Sequence, residues 1–226
     1  MGVVEFAIER VRIAEESGRL DEARQVLMEA LVAAPGEAVL LEKLGDIAYR
    51  LGDGDEALRF AGAAIAAAPH RGDPHLTAAL VYCAWGLHED ALRHARHGAA
   101  LDPYDISGTL TLAKVIAEGP VTKALRGEAR AALEHAVGLA PANAAAHARA
   151  AEIYWRLDEP KRARGHVEAG LAIDPANQDL LRLRVLWEFH GGKVGNRTGV
   201  IDILRGLLGS RPGHGDGRRR WPPRER

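Results

Sequence analysis

Between Val3 and Glu16 the apolar residues Val4, Ala7, Ile8, Val11 and Ala14 recur three and four positions apart, the period of a helix with one buried stripe. Gly18 interrupts the stripe. A second stripe follows through Ala23, Leu27 and Ala30, with Asp21 placed to cap or open it. Ala34-Pro35 ends that helix, because a residue before proline is pushed out of the α region. The pattern predicts a helix, a turn and a helix, and it then recurs. From Leu44 to Pro69 the residues Gly45, Gly52, Ala57, Ala64 and Pro69 succeed one another at intervals of seven, five, seven and five. Pro35, Pro69 and Pro103 are 34 residues apart, Pro141 follows after 38 and Pro175 after another 34. A period of this length predicts a stacked array in which each helix pair buries its apolar face on the next.

Counted from that stretch, the units span 4–37, 38–71, 72–105, 106–143 and 144–177, followed by capping helices at 178–209 and a basic tail at 210–226. One continuous array is expected. In the second unit Gly45 and Ala57 mark the level at which the paired helices approach closely, where a large side chain would cost about 1–3 kcal/mol. The third unit opens on Asp73-Pro74, read as a helix cap followed by proline at the first helical position. The fourth is four residues longer and contains Pro120, so its surplus falls between Gly119 and Arg126 as a longer loop or an extra turn. Beyond Pro175, Leu180, Leu183 and Trp187, with Leu181 and Val185 beside them, form the inward face of a capping helix that shows Arg182, Arg184 and Glu188 to water. The stretch from Gly191 to Gly199 reads as a loop, the next as a short helix folding back on the cap. The Gly-, Pro- and Arg-rich tail from Ser210 is expected to be disordered, since it has little apolar surface to offset its ordering entropy.

Composition narrows the class. Aromatic residues are only 5 % of the chain, against an abundance of small and aliphatic ones, which suits close helix packing and excludes an aromatic-rich β-sandwich, so the fold is all-α. A net charge of −1 provides no field to draw a polyanion, and nucleic acid is disfavoured as a partner except through the tail. There Arg218, Arg219 and Arg220, with Arg224 and Arg226 beyond, could touch RNA, acidic lipid or an acidic protein, or simply be solvated. The single Cys83 excludes an internal disulfide. The N-terminus has no apolar core of signal-peptide length and no stretch is apolar enough for membrane insertion, so a cytoplasmic protein is expected.

The residues at fixed places resemble those of tetratricopeptide repeats, with Leu41, Leu44, Gly45, Gly52, Ala57, Ala64 and Pro69 carrying the match most closely. The resemblance covers roughly residues 4–190. It departs where an aromatic is expected on the second helix and Leu27, Ala61, Ala95, Leu133 or Val167 stands instead. It implies a right-handed α-α superhelix of about five repeats plus a capping helix, with a concave groove built from first helices that holds a peptide or partner helix. It implies no catalysis and no cofactor. Family geometry would place Arg12, Glu42, Asp46, Tyr49, Arg50, Leu76, Leu80, Lys114, Glu152, Trp155 and Arg156 in that groove. Apolar Leu76, Leu80 and Leu110 could instead be packed between neighbouring helices. Tyr49, Arg50 and Trp155 stand out as anchors. The family's carboxylate-clamp pattern does not fit, because its places hold Ile8, Arg12, Lys43, Asp73 and Thr77, and the acidic Asp73 would repel a terminal carboxylate. The expected function is a non-enzymatic scaffold or adaptor for another protein or peptide. An alternative is a peptide- or ligand-sensing regulator hinged at the fourth unit.

Other candidate chemistry is thin. His94 and His97 lie on one helix with no third ligand in view, and Cys83 near His88 lacks an orienting acid. Gly192-Lys193 precedes Val194 in place of the Ser or Thr of a phosphate loop. No nucleophile, acid and base are assembled, so no enzyme is expected.

Overall fold

The computed structural model describes residues 2–190, and among them it contains eleven helices and no strand. The loop and short helix expected after His190, and the tail from Ser210, lie outside the described residues. The chain divides into two compact units, one ending at Asp102 and the other beginning at Pro103.

The first unit comprises α1 (Val3–Glu16), α2 (Leu20–Ala33), α3 (Ala38–Leu51), α4 (Gly54–Ala67), α5 (Asp73–Ala84) and α6 (His88–Leu101). Consecutive helices pair as hairpins, α3 also packs on α2, and α5 packs on both α4 and α3. A central helix of such a stack has neighbours on several sides. In α3 accordingly Leu40, Leu44 and Ile47 are fully buried, joining Val11 and Leu27 in one core cluster. Each such side chain contributes about 1.5–3 kcal/mol through burial. A smaller cluster of Ala48, Ala57 and Val81 is covered by Tyr49, Leu58 and Trp85.

The second unit comprises α7 (Ile106–Glu118), α8 (Lys123–Leu139), α9 (Ala144–Arg156), α10 (Pro160–Ile173) and α11 (Gln178–His190). Here α7 pairs with α8 and α9 with α10, and α11 packs on both α9 and α10. The surplus of the fourth repeat is split. Part lengthens α8 to 17 residues against 14 in α4, and part widens the loop around Pro120. Thr122 accepts a hydrogen bond from the backbone N–H of Leu125 and so starts α8. On α11 the inward residues are Leu180, Leu183 and Leu186, whereas Val185 is exposed and Trp187 half-buried. Leu186 is three residues from Leu183, one helical turn, whereas Val185 falls on the other side.

Two expected caps differ by a residue or more. The N-cap of α2 is Arg19, and Asp21 lies in the first turn, where a carboxylate favours the positive end of the helix. In α5 the N-cap is Gly72, so Asp73 and Pro74 are already helical. The turn inside the fifth hairpin holds Asp158 at φ +62°, where the second repeat has Gly52 at φ +85°. Aspartate tolerates this left-handed conformation better than most residues, which preserves the turn without glycine.

The tightest backbone approach is made by Gly72 and Gly98. A Cβ on Gly72 would lie 2.6 Å from the carbonyl oxygen of Gly98, a backbone atom with nowhere to go. At Gly45 a Cβ would meet Ala61 N at 3.4 Å and Ala57 O at 3.5 Å, ordinary contacts that leave room for a methyl and little more. Urea unfolding should therefore show Gly72→Ala destabilised by about 1–3 kcal/mol. Gly45→Ala, in a helix interior, should be neutral or up to about 1 kcal/mol more stable.

Candidate functional site

First-helix residues at equivalent places in successive repeats are brought into register by the stacking. Arg50 of α3 pairs with Asp46 one turn earlier at 3.4 Å and with Glu15 of α1. Arg156 of α9 repeats the arrangement, pairing with Glu152 one turn earlier at 2.7 Å and with Glu118 of α7 at 3.2 Å. In both units an arginine thus ties its own helix to the first helix of the preceding repeat. Burial pushes the Asp46 carboxyl above its usual range, and the Arg50 guanidinium partly restores it. Glu42 is buried on α3, and Arg71, from the loop before α5, donates to it from two nitrogens at 2.6 and 3.2 Å. That contact raises the pKa of Arg71.

The remaining expected groove residues are placed as follows. Arg12 is exposed and paired along its own helix with Glu9 at 2.7 Å and Glu16 at 2.5 Å. Tyr49 is half-buried over the smaller core cluster, and Leu80 and Lys114 are half-buried on α5 and α7. Leu76, Cys83 and Leu110 are buried, so the packed alternative describes Leu76 and Leu110. Trp155, expected as an exposed anchor, is only 6 % exposed and meets Trp187 edge-on with ring centroids 5.4 Å apart. The cause is α11, which lies against α9 and covers the indole. Both rings line a cavity of about 480 Å³ in the second unit, together with Val167, Leu183, Arg164 and Arg184. The Trp155 Nε1 is buried and has no hydrogen-bond partner among the described residues.

The structure also assembles two histidine clusters that sequence reading missed. His75 of α5 and His94 of α6 face each other through their Nδ1 atoms at 3.1 Å, and His97 meets His75 edge-on at 4.4 Å between centroids. His147 of α9 and His166 of α10 do the same at 3.2 Å. Tyr82 lies beside His94, and Tyr154 stacks on His166 with 9° between the planes. These are the same three places in the third and fifth repeats: His, then Tyr seven residues on, then His twelve further. The first, second and fourth repeats hold Ala7/Val26, Leu41/Phe60 and Thr109/Ala132 at the histidine places. Aligning the repeats column by column is the signal that would have found them. Among the described residues no group of three or more His, Cys, Asp or Glu side chains is arranged to hold a metal ion. No described helix is long and apolar enough to cross a membrane.

Comparison with known proteins agrees with this architecture. Residues 126–185 match the family model described as tetratricopeptide repeat. No curated protein matches the sequence. Among solved structures, a thermophilic tetratricopeptide-repeat protein of Thermus thermophilus superposes with a TM-score of 0.70 at 20 % identity, over 80 % of this chain and 97 % of that one. YrrB, described as a tetratricopeptide-repeat protein with an unusual peptide-binding site, gives 0.51 at 17 % identity, over 79 % and 90 %. The Cut9–Hcn1 hetero-tetramer of the APC/C gives 0.62 at 18 % identity, over 76 % of this chain but 34 % of that one. The resemblance read from the repeat spacing is borne out, and the fold is an all-α helical repeat of the tetratricopeptide kind.

The Glu42–Arg71 pair gives a direct check on which charges belong to the fold. Arg71→Ala leaves a buried carboxylate unpaired and should lower stability by about 2–3 kcal/mol, while the double change Glu42→Leu with Arg71→Leu should cost clearly less. Chemical unfolding of both variants measures the difference.

Proposed function

We propose that this chain of tetratricopeptide-type hairpins is a non-enzymatic scaffold that holds a peptide or helix of another protein on the faces of its first helices. The observation that supports it most is how those faces are occupied. Arg50 and Arg156, charges expected there, are engaged in pairs that link neighbouring repeats, and Glu42 is held by Arg71 at the end of its own repeat. The half-buried residues between them, Tyr49 and Leu80 in the first unit and Lys114 in the second, offer separated apolar and charged contacts. A surface of that kind suits an amphipathic segment recognised through a few anchors. The peptide-binding site named for YrrB and the assembly named for Cut9–Hcn1 favour the same reading by fold-level analogy.

The test is affinity capture from native cell extract with the full chain and two variants: Tyr49→Ala with Leu80→Ala, and Lys114→Glu. Trp155 is left intact because truncating so buried a ring would cost about 3–5 kcal/mol of stability by itself. A protein retained by the wild type and lost, at least tenfold, with either variant while both stay folded supports the proposal. Capture of no protein, or capture unaffected by both variants, contradicts it.

A further inference from the structure

The paired histidines sit in positions that the other repeats give to apolar or small side chains. In the second repeat Leu41 and Phe60 fill the two places and belong to the buried core. The third and fifth repeats fill both with imidazoles, and in each of them a tyrosine flanks the pair where the first and second repeats have Ala14 and Ala48. The substitutions occur together or not at all, so the two rings act as a unit.

Hydrogen-bond geometry defines the state of the fifth-repeat pair. The Nε2 of His147 lies 3.1 Å from the carbonyl oxygen of Pro141, which can only accept, so that nitrogen carries the proton. In the neutral ring Nδ1 is then bare, and it accepts from the Nδ1–H of His166 at 3.2 Å. A first added proton can go to the Nε2 of His166 and leave this bond intact. A second would have to go on the Nδ1 of His147, setting two N–H groups against each other at a distance made for one. In the closed hairpin that second N–H would find no acceptor between the two rings. Facing this pair are Tyr154 from α9, Arg162 from α10 and Glu134 from α8, while α11 brings the apolar Leu180 against it. Glu134 favours the first proton and Arg162 opposes it.

The third-repeat pair is more crowded with nitrogen. His75 and His94 share the 3.1 Å contact, His97 stands against His75, and Asp90, Arg93, Glu89 and Arg96 surround the recess they form. Burial, then His97 and His94, pushes His75 down to about 4. Burial and Arg93 lower His94, and burial with His147 lowers His166. For a histidine held below its usual range, the stabilisation is complete above that range and is lost as the pH falls, because only the opened state takes up the proton. For His75 the loss runs from about 6.5 down to about 4.

We propose that the third and fifth hairpins are acid-labile elements, in which protonation of the facing histidines parts the first helix from the second while the apolar second hairpin stays closed. The device is local to each hairpin and independent of which partner the chain holds. Through it, mild acid would loosen the first-helix faces of α5 and α9.

Amide hydrogen exchange on the full-length protein, corrected for intrinsic rates, tests this at about pH 7.5 and about pH 5. In the wild type, protection of α5, α6, α9 and α10 should fall about tenfold or more relative to α3 and α4. With His75→Leu, His94→Phe, His147→Leu and His166→Phe together, copying the second repeat, that extra fall should vanish. Uniform loss across all hairpins, or loss that persists in the variant, overturns the proposal. Should the variant not fold, NMR titration of the wild-type imidazoles decides. Ring protonation delayed well below the free-histidine range and concurrent with helix opening supports it, and ordinary titration near 6.5 without opening refutes it.

Discussion

Every hairpin depends on how closely its second helix can cross its first. At one place on the second helix all five repeats carry alanine: Ala23, Ala57, Ala91, Ala129 and Ala163, none more than 2 % exposed. A methyl there is the largest group that lets the backbones meet, and the dispersion gained by close packing rewards the approach. One turn or two further on, Ala30, Ala64, Gly98, Ala136 and Gly170 continue the seam with equally small residues. Gly98 and Gly170 go below alanine because Leu76 and Leu180 press into the space a Cβ would need. Large apolar side chains are thereby displaced from the crossing within a hairpin to the contacts between hairpins, where Leu40, Leu44 and Ile47 form the core.

That division of labour determines what the first helices can offer a partner. Their inward residues hold neighbouring repeats together, and their charges are drawn into the same task, as the Glu15–Arg50–Asp46 and Glu118–Arg156–Glu152 sets show. Such partly exposed pairs add modestly to stability. Their larger effect is orientational, because a planar guanidinium shared by two carboxylates holds one first helix at a set height against the next. For the proposed partner these faces present a sparse surface of single half-buried side chains such as Tyr49, Leu80 and Lys114. Specificity from so few contacts depends on their spacing, and the spacing is set by the seam.

The helices, their pairing and the repeat period were legible in the sequence because period and punctuation are local signals. Pro35, Gly52 and Pro103 mark ends within a few residues of where the helices stop. The candidate surface was less legible, and for a definite reason. Whether Trp155 or Glu42 meets solvent depends on what comes to lie over it, α11 in one case and the Arg71 side chain in the other, contributed by residues about 30 further along the chain. Asp158 in a left-handed turn and the His147–His166 pair follow the same logic. Each looks ordinary alone and becomes meaningful only beside the equivalent residue of another repeat.

The most direct test of the crossing constraint is to enlarge it at one site and compare an exposed neighbour. Ala57→Leu puts a branched side chain in the seam of the second hairpin, whereas Ala63→Leu on the same helix faces water. Urea unfolding with hydrogen exchange should find Ala57→Leu destabilised by about 1–3 kcal/mol, with protection lost first in α3 and α4, and Ala63→Leu close to wild type. Equal stability of the two variants would contradict the claim that small residues at this crossing set the architecture.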